Sequence, residues 1–151
     1  MYASEIEQAT KKLHPLNLYF NGCHHFDDIP ESAFDNGYAF VNTLKKGEEK
    51  HCGHWFLIWK RGKETIIYDS LGFPPENLLQ FKRVGKMTVS SSPTMPLNSK
   101  LCGPFCLYVA FHSRLNPDLN FRTLISAIFE EKLEENEEKV KVFCKQFEIC
   151  I

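Results

Sequence analysis

The sequence has no long hydrophobic run and no excess of charge of one sign. Its most apolar stretch, residues 54–59, is far shorter than the ~20 residues that a membrane-spanning helix needs. Eighteen basic residues stand against nineteen acidic ones, so no overall field attracts nucleic acid or an anionic membrane. The N-terminal residues also lack the apolar segment of a signal peptide. These absences predict an intracellular protein that is not secreted and has no membrane partner.

Dense cysteine spacing, internal repeats and low-complexity linkers are absent as well. The six cysteines are scattered through the chain, at positions 23, 52, 102, 106, 144 and 150. Because nothing supports secretion, we expect free thiols rather than a disulfide framework. A length of 151 residues is that of one ordinary domain, so we predict a single domain over residues 1–151.

Apolar patterning predicts a mixture of strands and helices. A strand begins at Gly37, and the almost wholly apolar residues 54–59 predict a strand that is covered on both faces. A hairpin turn at 61–63 connects it to a partner strand over 64–69. The polar residues 22–36 are expected to be irregular and to line a surface or cleft. Further along the chain we predict a helix beginning at Pro74 or Pro75, a strand over 87–90, a helix from Cys102 to His112 and an apolar helical face over 121–129. The acidic run over 130–141 predicts a helix with a solvated face, and the buried side of that helix would carry Val140, Phe143 and Phe147.

Cys102 lies where a polar loop turns into an apolar segment. Phe105, Tyr108 and His112 recur at spacings of three and four, which predicts a helix that buries one face. Pro104 is tolerated only in a first helical turn, so Cys102 falls at the helix N-terminus. Unpaired amide donors and the positive end of the helix dipole favour a thiolate there. Cys102 is therefore a candidate nucleophile.

A nucleophilic cysteine needs a base, and the base needs a partner that fixes its tautomer. His54 begins the apolar strand and Asp69 ends the adjoining one. In a hairpin that turns near residues 61 and 62, positions whose numbers add to about 123 lie opposite each other, and these two add to 123. We therefore predict that Asp69 accepts a hydrogen bond from one ring nitrogen of His54 and leaves the other for a thiol.

Each of these residues also has an ordinary interpretation. A cysteine in an apolar helix is usually a small core residue, and Cys106 is best interpreted that way. A histidine at a strand end is commonly structural, and Asp69 before a Leu-Gly pair is typical of a turn. Only the joint placement of all three favours catalysis.

Four segments carry a resemblance to a known family. They are Ala39-Phe-Val-Asn-Thr, Gly53-His54-Trp55, Tyr68-Asp69-Ser70-Leu-Gly-Phe and Asn98-Ser-Lys-Leu-Cys102-Gly-Pro-Phe-Cys. In this order they resemble the adenovirus maturation protease family, adenain, with its relatives in adenovirus-like viruses and Maverick/Polinton elements. More distantly, they resemble the ubiquitin-like-protein-specific cysteine proteases. The similarity spans residues 16–112.

The resemblance implies an α+β fold of the papain-like or adenain-like class, with a central mixed or antiparallel sheet flanked by helices and the nucleophile at the N-terminus of a buried central helix. It implies endopeptidase activity on viral capsid and core precursor proteins, in the host nucleus or cytoplasm and in the virion. It maps the base onto His54, the orienting acid onto Asp69 and the nucleophile onto Cys102.

One departure concerns the oxyanion. The family carries a Gln six or seven residues before the nucleophile, but those positions hold Pro96 and Met95, and no Gln lies between residues 81 and 145. Losing one such donor typically costs about 10²- to 10³-fold in rate. The backbone N–H of Cys102 survives as a donor, and Asn98 is a weak substitute. Two alternatives follow: an active enzyme with an altered oxyanion hole, or a degenerate copy of the fold that binds without cleaving.

A second departure concerns regulation. The adenovirus enzyme is activated by a disulfide-bonded peptide and by DNA. This chain has no cysteine between residues 53 and 101 and no net positive charge, so neither cofactor carries over. We therefore expect no cofactor. The sequence does not decide whether a non-covalent peptide activates the protein, whether it binds nucleic acid, or what its oligomeric state is.

A metal site is the rival hypothesis. Cys23-His24-His25 and His51-Cys52-Gly53-His54 supply thiolate and imidazole ligands. Neither cluster has the C-x₂-C or H-x₃-H spacing of zinc sites, and adjacent Cys-His pairs rarely converge on one ion. The sequence therefore predicts no metal.

Overall fold

The computed structural model describes residues 1–44, 46–47, 53–72 and 86–151. In these ranges the strands are β1 (Phe20–His25), β2 (Gly37–Asn42), β3 (Trp55–Arg61), β4 (Glu64–Tyr68) and β5 (Met87–Val89). The helices are α1 (Ala3–Lys11), α2 (Cys102–Leu115), α3 (Phe121–Ile128) and α4 (Leu133–Gln146), with short 3₁₀ turns at Leu16–Tyr19 and Glu31–Phe34.

The strands form one mixed sheet in the order β1-β2-β3-β4-β5. β2, β3 and β4 are an antiparallel meander, and the outer strands β1 and β5 each pair in parallel with their neighbours. Helices pack against this sheet. The predicted α+β class, with Cys102 beginning a helix, is confirmed.

The central strand β3 is buried on both faces, as its apolar sequence predicts. Trp55, Leu57 and Trp59 point into the main core with the helices, while Phe56 and Ile58 point into a smaller core covered by the turn Glu31–Phe34. This alternation is the period of two that a strand imposes. Burying one such side chain stabilises the fold by roughly 1.5–3 kcal/mol. The buried strand β3 therefore fixes the position of the loop residues that precede it.

The hairpin between β3 and β4 has a different register from the predicted one. Leu57 pairs with Tyr68 and Arg61 with Glu64, so the numbers of paired residues add to 125 rather than 123. The turn is formed by Gly62 and Lys63 instead of being centred on 61 and 62. Gly62 has a φ of +59°, which glycine adopts without the steric cost that other residues incur.

Helix α2 is buried on nearly all sides. Every residue from Cys102 through Phe111 is buried, because the helix lies against β3 and is surrounded by α1, α3 and α4. The buried central helix that the resemblance implies is therefore present, and its burial extends beyond the one face that the apolar spacing predicts. A helix in this position needs apolar residues all round, which its sequence supplies.

Strand β1 was not predicted, since residues 22–36 were expected to be irregular. Its polar residues pair in parallel with β2, with a register shift between Phe20 and Cys23, and they are all half-buried. An interrupted strand of this kind shows no clear alternation. The strand predicted over 87–90 is present as β5, and the helix predicted from Pro74 or Pro75 lies outside the described residues.

No helix in the described ranges has both the length and the apolar character that crossing a bilayer requires.

Candidate active site

Cys102 is the first residue of α2, and its sulfur lies among hydrogen-bond donors. The backbone N–H of Trp55 donates to Sγ at 3.4 Å, and the residue is 7% exposed. Burial alone would raise the pKa of this thiol. Hydrogen bonding from His54 and from the backbone of Trp55 and Gly103, together with the positive charge of His54, outweighs burial and lowers the pKa below its ordinary value. These contacts shift the ionisation equilibrium of Cys102 towards the thiolate.

His54 is positioned by the loop that enters β3. Its N–H donates to Thr43 Oγ1 at 3.2 Å and its carbonyl accepts from Thr43 N–H at 2.9 Å. Gly53, just before it, has a φ of +65°, and a Cβ at that position would lie 2.2 Å from Asn42 Oδ1. Only glycine fits there, so the chain turns sharply into β3 with the imidazole at the end of the strand.

The two predicted partners are brought together. His54 Nε2 lies 2.7 Å from Asp69 Oδ1, which leaves Nδ1 as the ring nitrogen available to Cys102. Burial alone would lower the pKa of His54. The hydrogen bonds to Asp69 and Cys102 and their negative charges raise it instead, to about 9. With the thiol pKa lowered and the imidazole pKa raised, the pair favours a thiolate and an imidazolium.

Asp69 is held by its own neighbours. The residue is 3% exposed, and its Oδ1 also accepts a hydrogen bond from Leu71 N–H at 3.0 Å. The backbone N–H of Asp69 donates to Ser90 Oγ at 2.8 Å. Asp69 follows directly after β4, so the sheet places its carboxylate beside His54 even though the predicted register is two residues off.

The residues considered for the oxyanion hole do not direct side-chain hydrogen-bond donors towards Cys102 in the described structure. Met95, at one position where the resembling family carries Gln, is buried and its backbone N–H donates to the Ser70 carbonyl at 3.1 Å. Asn98 is exposed in the turn before α2, and no hydrogen bond among the described residues joins it to Cys102. The backbone N–H of Cys102, at the start of the helix, is the donor closest in sequence to the sulfur.

The first turn of α2 is covered by the N-terminus. The indole N–H of Trp55 donates to the Met1 carbonyl at 2.7 Å. A Cβ on Gly103 would lie 3.0 Å from Met1 Sδ, so glycine at position 103 leaves room for the Met1 side chain beside the first turn of α2.

Two supporting residues were missed by sequence reasoning. Ser90 lies in a run of three serines that gives no signal of its role. Asn136 lies in the acidic run that was assigned to a solvated face, yet it is fully buried and its amide donates to the carbonyls of Thr94 and Glu130, both at 2.9 Å. Asn136 shares helical spacing with Val140 and Phe143, and that spacing could have placed it on the buried face.

Those residues of the rival metal hypothesis that the structure describes are not grouped as ligands. His24 Nε2 lies 2.8 Å from the Asn21 carbonyl and His25 Nδ1 lies 3.3 Å from the Leu44 carbonyl, while burial, followed by the charge of Glu7, raises the pKa of Cys23 far above its ordinary value. In the described part of the chain, no three Cys, His, Asp or Glu residues are grouped as metal ligands. His51 and Cys52 lie outside the described residues.

Comparison with known proteins gives a likeness in structure rather than in sequence. No family model matches the chain, and no curated protein matches it in sequence. The crystal structure of the ASFV pS273R protease superposes with a TM-score of 0.55 at 14% identity, covering 91% of this chain and 65% of that one. This chain has the fold of a viral protease. It spans 65% of the length of that protein.

A second crystal structure, of the selenomethionine form of the ASFV pS273R protease, aligns less well. Its TM-score is 0.41 at 16% identity, over 68% of this chain and 43% of that one.

Proposed function

We propose that this chain is a cysteine endopeptidase of the viral maturation type, which cleaves viral capsid and core precursor proteins. The observation that carries the proposal is the arrangement at the start of α2: Cys102 with a lowered thiol pKa beside His54, whose other ring nitrogen lies 2.7 Å from Asp69. The likeness to a viral protease fold supports the reaction class, and the adenain resemblance supports the substrates.

In the proposed mechanism the Cys102 thiolate attacks the scissile carbonyl and a C–S bond forms. The imidazolium of His54 then gives its proton to the leaving amine as the C–N bond breaks. Neutral His54 takes a proton from water in the second step, the resulting hydroxyl adds to the thioester, and the thiolate leaves. Asp69 holds the ring orientation and stabilises the imidazolium throughout.

The oxyanion of each tetrahedral intermediate is assigned to the backbone N–H of Cys102, with Asn98 as a weaker donor that would have to turn inward. Because a positioned donor is worth about 10²- to 10³-fold, we expect turnover to be slow unless substrate binding brings in Asn98. A non-covalent peptide that turns the Asn98 side chain towards Cys102 would therefore act as an activator.

The test is incubation of the purified chain with capsid and core precursors encoded beside it. We expect cleavage by the wild type and loss of cleavage in Cys102→Ala and in His54→Ala. Cys150→Ala is the matched control, because Cys150 is exposed and unpaired, and it should cleave normally. Undiminished cleavage in folded Cys102→Ala would refute the assignment of the nucleophile.

The second candidate function is a binding module that keeps the protease fold without turnover. The buried Met95, where the resembling family has Gln, favours it. Thiol labelling separates the two: rapid alkylation of Cys102 that depends on His54 supports the enzyme. Labelling no faster than that of Cys150, together with intact precursors, supports the module.

The remaining expectations follow the substrate assignment. We propose that the protein acts in the host nucleus or cytoplasm and in the virion, and that it needs no metal or organic cofactor.

A further inference from the structure

A small pocket with two arginines lies at the opposite end of α2 from Cys102. Its volume is about 210 Å³, and its lining includes Tyr19, Tyr38, Arg61, Ser113 and Arg114. Cys102 begins α2 and Arg114 is in its last turn, so about 18 Å of helix separates the pocket from the nucleophile. The proposed peptidase mechanism uses none of these residues.

Arg114 carries a positive charge that no carboxylate in the described ranges neutralises. Its guanidinium lies over the Tyr19 ring, 3.7 Å from the centroid, and it is close enough to Tyr38 for its charge and hydrogen bonding to oppose the rise in the pKa of the Tyr38 hydroxyl that burial causes. Its Nε is buried and has no hydrogen-bond partner among the residues that the structure describes. Buried donors are nearly always satisfied, by protein, water or a ligand.

Arg61 forms a second, more rigid wall. Its Nη1 donates to the Leu119 carbonyl at 2.8 Å and the Pro117 carbonyl at 3.2 Å, and its Nη2 lies 3.2 Å from Glu64 Oε1. These bonds fix the side chain, and Glu64 offsets its charge. Arg61 therefore contributes a preorganised edge, and Arg114 contributes positive charge that adds to that of Lys60, which also lines the pocket.

The charge balance of the pocket favours an anion. The carboxyl end of a helix carries about half a negative charge, which is less than the full positive charge of Arg114. The hydroxyls of Tyr38 and Ser113 are hydrogen-bonded to each other in the pocket wall and add polar atoms beside the guanidinium. A guanidinium presents a planar set of donors that matches phosphate and carboxylate oxygens.

We propose that this pocket binds a phosphate group, either as inorganic phosphate or as the phosphoryl group of a small monoester. Arg114 supplies the principal charge-assisted hydrogen bonds, and Arg61 with the Tyr38–Ser113 hydroxyl pair closes the wall. A volume of about 210 Å³ accommodates one phosphoryl group and is too small to enclose a nucleotide. The site is separate from the proposed catalytic residues.

The test is an NMR titration of the ¹⁵N-labelled protein with inorganic phosphate, at constant ionic strength maintained with sodium chloride. We expect saturable shifts of backbone amides at Gly37, Gly62 and Ser113, which line the pocket, with a dissociation constant in the millimolar range. Glycerol phosphate tests the monoester form, and saturation of the same amides would show that the phosphoryl group itself is recognised. If only inorganic phosphate saturates them, the proposal holds for the free ion.

Variants assign the binding to Arg114. Arg114→Gln should weaken phosphate binding about tenfold or more, since it removes a charge-assisted pair of hydrogen bonds. Arg114→Lys retains the charge without the planar donors, so its phosphate affinity should lie between those of the wild type and Arg114→Gln. Arg122→Gln is the matched control, because Arg122 is exposed on α3, and it should bind as the wild type does.

Three results would overturn the proposal. They are the absence of saturable shifts with phosphate, shifts that sodium chloride reproduces, or equal phosphate affinity in wild type and folded Arg114→Gln. Binding should persist in Cys102→Ala, so loss of peptidase activity and loss of anion binding are distinguishable.

Discussion

Two cysteines one turn apart on α2 have opposite properties. Cys102, in the first turn, contacts the Trp55 amide and faces His54, and its pKa is lowered. Cys106, in the second turn, is fully buried and its Sγ lies 3.6 Å from the Trp55 carbonyl. Burial and then the neighbouring charges of Cys102 and Asp69 raise the pKa of Cys106 well above its ordinary value.

The difference shows that a shift of four residues along one helix is enough to reverse the direction in which the pKa of a cysteine thiol moves. Both side chains lie in the same core, and Cys106 is the more deeply buried of the two. Cys102 meets donors, namely an imidazole and backbone amides, whereas Cys106 meets a carbonyl oxygen. Donors stabilise a thiolate and an acceptor does not.

Alkylation should give the largest contrast between the two cysteines. Because the pKa of Cys102 is lowered, we expect its rate of alkylation by iodoacetamide to fall less steeply below pH 8.5 than that of an ordinary thiol, whereas Cys106 should react only after denaturation. His54→Ala should remove the low-pH reactivity, because a thiol of pKa about 8.5 is only about 0.3% ionised at pH 6. Peptide mass spectrometry of each cysteine measures both rates. Equal labelling of Cys102 and Cys106 in the folded protein would abolish the distinction.

Asp69→Asn should reduce cleavage without abolishing it. The loss should be smaller than the about 10²- to 10⁴-fold that general acid–base catalysis contributes, since the thiolate keeps its amide donors. The pKa of His54, about 9 in the wild type, should fall towards 6.5. NMR titration of the His54 ring protons measures the shift, and Ser126→Ala, on α3, serves as the unaffected control.

The same substitution has a consequence for stability. A histidine whose pKa is higher in the folded state stabilises the fold fully below its unfolded pKa of about 6.5, and this contribution is lost as the pH rises through about 9. The difference in free energy of unfolding between the wild type and Asp69→Asn should therefore shrink as the pH rises across that window. A difference that grows with pH would contradict the assigned charge of His54.

Asn136→Ala should destabilise the protein by about 2–4 kcal/mol, because it leaves the buried Thr94 carbonyl and the Glu130 backbone without partners. Urea unfolding measures this loss. Val142→Ala, at an exposed position of the same helix, should change stability by less than about 0.5 kcal/mol. Equal effects of the two substitutions would show that Asn136 does not secure the segment before α2.

Cys106→Ala should give the smallest effect, a loss of about 1–2 kcal/mol from removing a buried atom the size of a methyl group. Cleavage should be retained, since this sulfur makes no contact with His54 in the proposed mechanism. Thermal unfolding and the precursor assay measure the two quantities. Loss of cleavage in a folded Cys106→Ala protein would show that the second turn of α2 belongs to the active site.

The candidate site could be predicted because its parts lie at element boundaries. Pro104 and the apolar spacing place Cys102 at a helix start, and the short hairpin brings His54 and Asp69 to one end of the sheet. The predicted register is two residues off, yet the contact forms, because Asp69 lies just beyond β4 where the chain is no longer held to the strand pairing.

Features that depend on distant partners could not be predicted in the same way. β1 forms a strand because it pairs with the edge of β2. The polar residues of β1 show no alternating pattern that would predict a strand. The burial of α2 on all sides depends on α1, α3 and α4, whose packing no local spacing specifies. The role of Ser90 depends on where the backbone of Asp69 passes.

The contact between Met1 and the first turn of α2 bears on how the recombinant protein should be made. The Met1 carbonyl accepts a hydrogen bond from the Trp55 indole and the Met1 side chain lies against Gly103, so an affinity tag fused in front of Met1 would crowd the first turn of α2. Ile151 is exposed, and purification handles are better attached there.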